Sequence, residues 1–129
     1  MKIISWNVNG IRSVQSKGFA EILAQLDADC ILLQETKAQA DQIDKALEGI
    51  DGYHIYSNCA ERKGYAGVTI LFRQAPMQII KDIGIAEHDR EGRVIVAEFE
   101  HFFCSTFMCP IRARNWPGWI TGKPGISNF

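Results

Sequence analysis

The first 50 residues alternate between strand-like and helix-like patterns of hydrophobic positions. Residues 2–8 form an apolar, β-branched run that predicts a strand, and the continuous apolar run at 30–34 is typical of a strand covered on both faces. Residues 18–26 and 38–47 carry apolar side chains at intervals of three and four, which predicts two amphipathic helices. The order strand, helix, strand, helix is typical of a layered α/β fold.

After Gly52 the pattern changes to short strands separated by glycine, proline and charged turns. Strand-like runs occupy residues 53–57, 67–72, 77–80 and 93–99. Short strands that follow one another so closely are expected to pair antiparallel. The fold class predicted from the pattern is therefore α/β, with no repeat, linker or low-complexity segment.

Composition restricts the class of protein without identifying it. The chain has 129 residues, with 14 Lys and Arg against 15 Asp and Glu and a net charge of −1. That length suits one domain with a real core, and no apolar run approaches the roughly 20 residues that span a bilayer. Asn7, Asn9 and Arg12 interrupt the apolar start of the chain, so no secretory leader and a cytoplasmic location are expected. The four cysteines form no CxxC pair, and Cys30 and Cys59 are expected to be reduced core thiols.

Two polar side chains stand where the first two predicted strands end. Asn7 closes the first strand and Glu35 follows the second. If these strands are neighbours, both side chains lie at one edge of the sheet, where open α/β folds bind ligands. Carboxylate and amide oxygens suit Mg²⁺ or Mn²⁺. The alternative is that Glu35 caps the next helix and Asn7 satisfies a turn.

Four separate motifs resemble the exodeoxyribonuclease III family, the abasic-site endonucleases of the endonuclease/exonuclease/phosphatase superfamily. They are residues 1–12 (MKIISWNVNGIR), 33–37 (LQETK), 61–68 (ERKGYAGV) and 91–95 (EGRVI). The resemblance runs from Met1 to about Phe103. It implies that residues 1–103 are the N-terminal half of a four-layered α/β sandwich.

The resemblance also implies roles for individual residues at the metal site. Glu35 is similar to the family's metal-binding glutamate, and Asn7 to the asparagine that supports the metal and phosphate site. Asn9 stands where some relatives carry an aspartate, so direct ligation by Asn9 is not expected. Lys37 is similar to the lysine that orients the acidic cluster.

Four further residues match family positions outside the metal site. Arg12, Lys63 and Tyr65 resemble residues of the loops that hold the DNA backbone, where a cation neutralises phosphate charge. The alternative for Arg12 and Lys63 is solvated surface charge. For Arg93 a contact with DNA and a structural pairing with a nearby carboxylate, such as Asp89 or Glu91, are equally expected.

The activity implied by the resemblance is metal-assisted hydrolysis of a DNA phosphodiester 5′ to an abasic site, with 3′-to-5′ exonuclease activity in many members. The implied cofactor is Mg²⁺, with Mn²⁺ as an alternative, and the implied partner is double-stranded DNA with abasic sites or 3′ ends. A monomer without membrane association is expected. The family's general base, an aspartate with an aspartate–histidine pair nearby, lies in the second half of the fold. The 129-residue chain is therefore expected to be a truncated, inactive fragment.

Two other functional interpretations remain open. The chain could derive from another metal-dependent phosphoesterase of the superfamily that acts on lipid or nucleotide phosphates. Residues 61–65 argue against this alternative, because their resemblance is to the DNA-repair branch. The second alternative is a non-catalytic fragment with no function.

The residues from Cys104 onward differ from the rest of the chain in composition and show no helix or strand period. They also lack the Tyr-Val-Pro-Asn-Ser and Arg-Leu-Asp-Tyr-Arg segments of the family. Both segments are compatible with the permitted codons when the tail is read from the third base of the Cys104 codon. Met108 followed by Cys109 then forces a valine, as the family pattern requires. Residues 104–129 are therefore predicted to be an out-of-frame tail without native structure. A divergent native tail is the alternative, and the source DNA sequence distinguishes the two.

Overall fold

The computed structural model describes residues 1–108, apart from the His88 side chain, and this part of the chain contains two β-sheets and four helices. The large sheet consists of β1 (Ile3–Asn7), β2 (Cys30–Gln34), β3 (His54–Asn58) and β4 (Val68–Phe72). The small sheet consists of β5 (Gln78–Ile80), β6 (Val94–Glu98) and β7 (Phe103–Phe107). The helices are α1 (Ile11–Gln15), α2 (Phe19–Leu26), α3 (Ala40–Ala46) and α4 (Ala86–Asp89).

The strand order of the large sheet is β1-β2-β4-β3. Strands β1 and β2 are parallel and are joined by α1 and α2, as a parallel pair requires a crossover connection. The other pairs in both sheets are antiparallel, and the small sheet has the order β5-β6-β7. This confirms the α/β class and the antiparallel pairing expected for the later strands.

Strand β2 lies at the centre of the protein and is covered on both faces, as its continuous apolar sequence predicts. Ile31 and Leu33 pack in the cluster formed with the helices. Cys30 and Leu32 point the other way, into the cluster formed with the small sheet. The described residues therefore form three layers: helices, large sheet and small sheet.

Both predicted helices are present, and their ends have identifiable local causes. Helix α2 begins after Gly18 and ends before Asp27, and both of these flanking residues are in the left-handed conformation. Helix α3 begins at Ala40, because the side chain of Gln39 accepts from the backbone of Gln42 and the side chain of Gln42 accepts from the backbone of Gln39. Gln39 is thus the cap of α3, which excludes the alternative that Glu35 caps this helix.

Residues 104–107 belong to β7, so the predicted tail without native structure overlaps a strand at its start. Cys104 and Thr106 point inward while Phe103 and Phe107 are exposed, and this alternation suits a strand with one covered face. Backbone groups form the ladder to β6, so the pairing does not depend strongly on which side chains β7 carries. The rest of the predicted tail, from residue 109, lies outside the described residues. In residues 1–108 no helix is long and apolar enough to cross a membrane.

Candidate active site

Asn7 and Glu35 lie at the same edge of the large sheet because the backbones that follow β1 and β2 remain paired. Beyond the register pair of Asn7 with Gln34, the amide of Gly10 donates to the carbonyl of Glu35 at 2.7 Å. The amide of Ile11 donates to the carbonyl of Thr36 at 2.9 Å. The two side chains line one cleft of about 420 Å³. We call it the strand-end cleft, and its lining residues are Ser5, Asn7, Leu32, Gln34, Glu35 and residues 105–108.

The backbone around Glu35 adopts a conformation that L-residues rarely occupy. Glu35 has a φ of 55° and Lys37 a φ of 50°, and Ala66 in the adjacent loop has a φ of 46°. The loop holds this segment in place, since the amide of Thr36 donates to the Gly67 carbonyl and that of Lys37 to the Ala66 carbonyl. Each left-handed residue costs roughly 1–2 kcal/mol. Conformations of this kind persist where the surroundings fix them, and they cluster at functional sites.

A chain of contacts connects the four residues that the motifs assign to the metal site. The amide of Asn9 donates to Asn7 Oδ1 at 3.0 Å, and Lys37 Nζ donates to Asn9 Oδ1 at 2.6 Å. The same Nζ lies 3.8 Å from Glu35 Oε2. The side chains of Lys37 and Glu35 are partly exposed, so their pairing contributes less than about 1 kcal/mol. The contact of Asn9 with Lys37 favours a supporting role for Asn9.

Asn7 also stabilises a turn, which is the alternative role that the sequence suggests for it. Its Oδ1 accepts the amide of Asn9, two residues on, as asparagine does in tight turns. An amide oxygen has two lone pairs, so this hydrogen bond leaves one for a cation.

Gln34 and the end of β7 also line the strand-end cleft, and the sequence does not predict this contribution. Gln34 Nε2 donates to Ser5 Oγ at 3.0 Å and to Thr106 Oγ1 at 2.8 Å, so it joins the two sheets beside Glu35. Met108 Sδ lies 3.2 Å from the amide nitrogen of Glu35. The available signal was the position of Gln34, a polar residue that ends an otherwise apolar strand next to Glu35. Thr106 and Met108 lie in the segment predicted to be an out-of-frame tail, for which no site residue is expected.

The donor set of the strand-end cleft fits a hard divalent cation. Glu35 offers a carboxylate and Asn7 an amide oxygen, which are ligands that Mg²⁺ accepts together with several waters. Within residues 1–108 no group of three or more His, Cys, Asp and Glu side chains could hold a metal. Glu35 is the one ionisable side chain among the described residues that line the cleft. The described part of the cleft thus offers two oxygen-bearing side chains, Glu35 and Asn7, and one negative charge.

The structure places two of the three expected DNA contacts in one groove. Arg12 and Lys63 line a groove of about 350 Å³ together with Gln39, Asp41, Gln42 and Gly64, which we call the Arg12 groove. Both cations are exposed, and Arg12 Nη2 donates to the Lys37 carbonyl at 3.2 Å. This hydrogen bond connects the groove to the residues around Glu35.

Tyr65, the third expected contact, is held by two arginines. Its hydroxyl accepts from Arg93 Nη2 at 3.0 Å, and the guanidinium of Arg62 lies 5.3 Å from the ring centroid. Arg93 is buried and forms an ion pair with Glu91, which confirms the structural pairing considered for it. Arg62 lies within the third motif, but its contact with Tyr65 is not predicted from the sequence.

Replacing Thr36 with valine should raise the free energy of unfolding by about 1 kcal/mol. Among residues 1–108, Thr36 Oγ1 is buried without a hydrogen-bond partner, and an unsatisfied buried hydroxyl is costly. The matched control is Thr69→Val, which should lower the same quantity by about 1 kcal/mol. Thr69 is equally buried, but its hydroxyl is 2.8 Å from Ser57 Oγ. Urea unfolding followed by circular dichroism measures both, and a loss of stability in Thr36→Val would show that its hydroxyl is satisfied.

Taken together, the packed sheets define an α/β sandwich with a polar cleft at the ends of β1 and β2. The chain belongs to the endonuclease/exonuclease/phosphatase family, whose profile matches residues 4–120. This match continues beyond Phe103, where the resemblance was expected to end.

Comparison with curated proteins identifies relatives among DNA-repair enzymes. The chain is 50% identical over 115 residues to an exodeoxyribonuclease of Bacillus subtilis, covering 88% of the chain and 44% of the relative. It is 45% identical over 103 residues to a DNA-(apurinic or apyrimidinic site) endonuclease of Dictyostelium discoideum, covering 80% of the chain and 28% of the relative. The chain therefore spans less than half the length of these relatives.

Solved structures give the same result for the fold. The catalytic domain of Xenopus laevis APE2 matches with a TM-score of 0.68 and 31% identity, covering 88% of this chain and 46% of that one. The 3′-5′ exonuclease NExo of Neisseria meningitidis matches with a TM-score of 0.70 and 29% identity, covering 84% of this chain and 41% of that one. These likenesses confirm the predicted fold family.

Proposed function

We propose that the chain carries the first part of the active site of a divalent-metal-dependent DNA-repair nuclease, an abasic-site endonuclease and 3′-5′ exodeoxyribonuclease. The observation that carries this proposal is the contact chain from Asn7 through Asn9 and Lys37 to Glu35 in one cleft. The names of the relatives, exodeoxyribonuclease and abasic-site endonuclease, support it.

In the proposed site each side chain has a separate task. Glu35 and Asn7 hold Mg²⁺, with Mn²⁺ as an alternative, and Lys37 keeps Asn9 and Glu35 in position. The bound ion supplies stabilisation of the negative charge that develops on phosphate oxygens. Arg12 and Lys63 neutralise phosphates of the flanking DNA backbone. Tyr65 is held by Arg62 and Arg93 in an orientation suited to the same backbone.

We also propose that the 129-residue chain does not catalyse this reaction alone. In the described part of the strand-end cleft, Glu35 is the one ionisable side chain. A carboxylate that binds a cation is a poor base, so a second group must take the proton of the attacking water. That group is expected in the part of the fold that the relatives have beyond the region matched here.

The test uses a completed protein. Residues 1–103 of this chain are joined to the part of the Bacillus subtilis relative that follows the equivalent position. The chimera should cut a duplex with a single abasic site when Mg²⁺ is added, while the 129-residue chain should leave it intact. A folded chimera that spares the duplex but hydrolyses nucleotide or inositol-lipid phosphates would contradict the proposal and favour another phosphoesterase of the family.

Removing the cations of the Arg12 groove should weaken binding to DNA independently of sequence and make it less sensitive to salt. In the chimera, Arg12→Ala and Lys63→Ala should each reduce the slope of log K against log salt by about 0.9, the value for one phosphate contact. The control is Lys17→Ala, an exposed lysine outside the groove. Fluorescence anisotropy with EDTA present measures binding without cleavage. Unchanged slopes for Arg12→Ala and Lys63→Ala would identify both residues as solvated surface charges.

A further inference from the structure

Two cysteines from different sheets face each other in the protein interior. Cys30 Sγ in β2 and Cys104 Sγ in β7 are 3.9 Å apart. Cys30 is fully buried and Cys104 is half-buried, and both belong to the cluster of side chains between the two sheets. Cys59, the third cysteine in the described residues, packs with the opposite cluster, between the large sheet and the helices.

We propose that Cys30 and Cys104 are an oxidisable dithiol that closes into a disulfide between the large and small sheets. This modification site is separate from the proposed nuclease site and does not depend on it. A disulfide has an S–S distance of about 2.05 Å, so the two sulfurs must approach by roughly 2 Å. Strands β2 and β7 are already in contact, and the hydrogen bond from Gln34 to Thr106 holds the same two strands together.

The chemistry requires a two-electron oxidant, for which a small disulfide such as oxidised glutathione is sufficient. The Cys104 thiol is the more exposed of the two, so it loses its proton and attacks the glutathione disulfide, releasing one glutathione thiolate. Cys30 then loses its proton and attacks the Cys104 sulfur of the mixed disulfide, which releases the second glutathione thiolate. The two protons from the protein thiols convert these thiolates to thiols. The protein dithiol is oxidised and glutathione disulfide is reduced.

Burial slows the reaction of both thiols with an oxidant. It raises the pKa of both thiols, and for Cys30 the charges of Cys104 and Asp29 act in the same direction. A raised pKa reduces the fraction of thiolate, which is the attacking form. The dithiol therefore reacts slowly with oxidants at neutral pH.

The test is to oxidise the full 129-residue chain with oxidised glutathione, block the remaining thiols in denaturant and analyse tryptic peptides by mass spectrometry. We expect the peptides of Cys30 and Cys104 to be joined and to weigh 2 Da less than their dithiol sum, with Cys59 alkylated. Cys104 and Cys109 share a tryptic peptide, so the Cys109→Ser variant assigns the bond.

Matched serine variants and a denatured control decide the outcome. The linked species should disappear in Cys30→Ser and Cys104→Ser and should persist in Cys59→Ser and Cys109→Ser. A sample oxidised in 8 M urea should instead contain a mixture of pairings. The proposal is overturned if the chain oxidised without urea gives that same mixture, or if Cys30 pairs with Cys59 or Cys109.

Discussion

Replacing Glu35 with glutamine in the chimera should lower the rate of abasic-site cleavage by at least about 100-fold. Glutamine has nearly the same shape but no charge, so the strand-end cleft loses the one carboxylate that the described residues provide. Charge stabilisation by a bound cation contributes several kcal/mol to such reactions, and each 1.36 kcal/mol is a tenfold change in rate. The rate should recover in part at high Mg²⁺ concentration, because the substitution weakens binding of the ion.

The control for this substitution is Glu48→Gln, which removes a charge from an exposed residue outside the cleft. It should leave the rate unchanged. Cleavage is followed with a labelled duplex under single-turnover conditions, so that product release does not hide the chemical step. If the cleavage rate of Glu35→Gln falls by less than threefold and still requires Mg²⁺, Glu35 is not a ligand of the metal.

Replacing Gly92 with alanine should destabilise the 129-residue chain by about 3 kcal/mol or more. A Cβ at Gly92 would lie 2.5 Å from the carbonyl carbon of Cys59 and 2.6 Å from the carbonyl oxygen of Asn58. Both are backbone atoms, so no side chain can turn aside to make room. The left-handed φ of 58° adds roughly 1–2 kcal/mol, and overpacking adds roughly 1–3 kcal/mol.

The matched control is Gly84→Ala. Gly84 also has a positive φ, 84°, but a Cβ there would meet no atom within 4 Å. This control should therefore cost only the roughly 1–2 kcal/mol of the conformational term. Urea unfolding measures both variants, and equal losses of stability would show that the close approach of Gly92 to the end of β3 is absent in solution.

The fold was predictable wherever hydrophobic periodicity was strong. The continuous run at 30–34 coincides with β2, and the spacing of Phe19 and Leu23 identifies α2. Helix α1 was not predicted, because five residues are too few to show a period. The sequence of β7 does not predict a strand. Backbone pairing with β6 and one covered face stabilise this strand, and composition does not reveal either.

The site was predictable only in part, for a similar reason. The predicted ends of β1 and β2 are sufficient to place Asn7 and Glu35 at one edge of the sheet. The approach of Lys37 to Asn9 and Glu35 depends on left-handed residues at positions 9, 35 and 37, and hydrophobic patterns carry no information about such conformations. The link from Gln34 to Thr106 joins residues 72 positions apart, and no local rule anticipates it.

The most direct test of the proposed metal site is to add Mn²⁺ to the ¹⁵N-labelled 129-residue chain and record amide line broadening by nuclear magnetic resonance. Mn²⁺ accepts the same oxygen ligands as Mg²⁺ and broadens only nearby amides. Broadening should be strongest at Asn7, Asn9, Glu35 and Lys37, and it should be lost in Glu35→Gln but retained in Glu48→Gln. The strongest broadening elsewhere, such as at Asp41 and Asp44 of α3, or an unchanged pattern in Glu35→Gln, would contradict a cation site at the ends of β1 and β2.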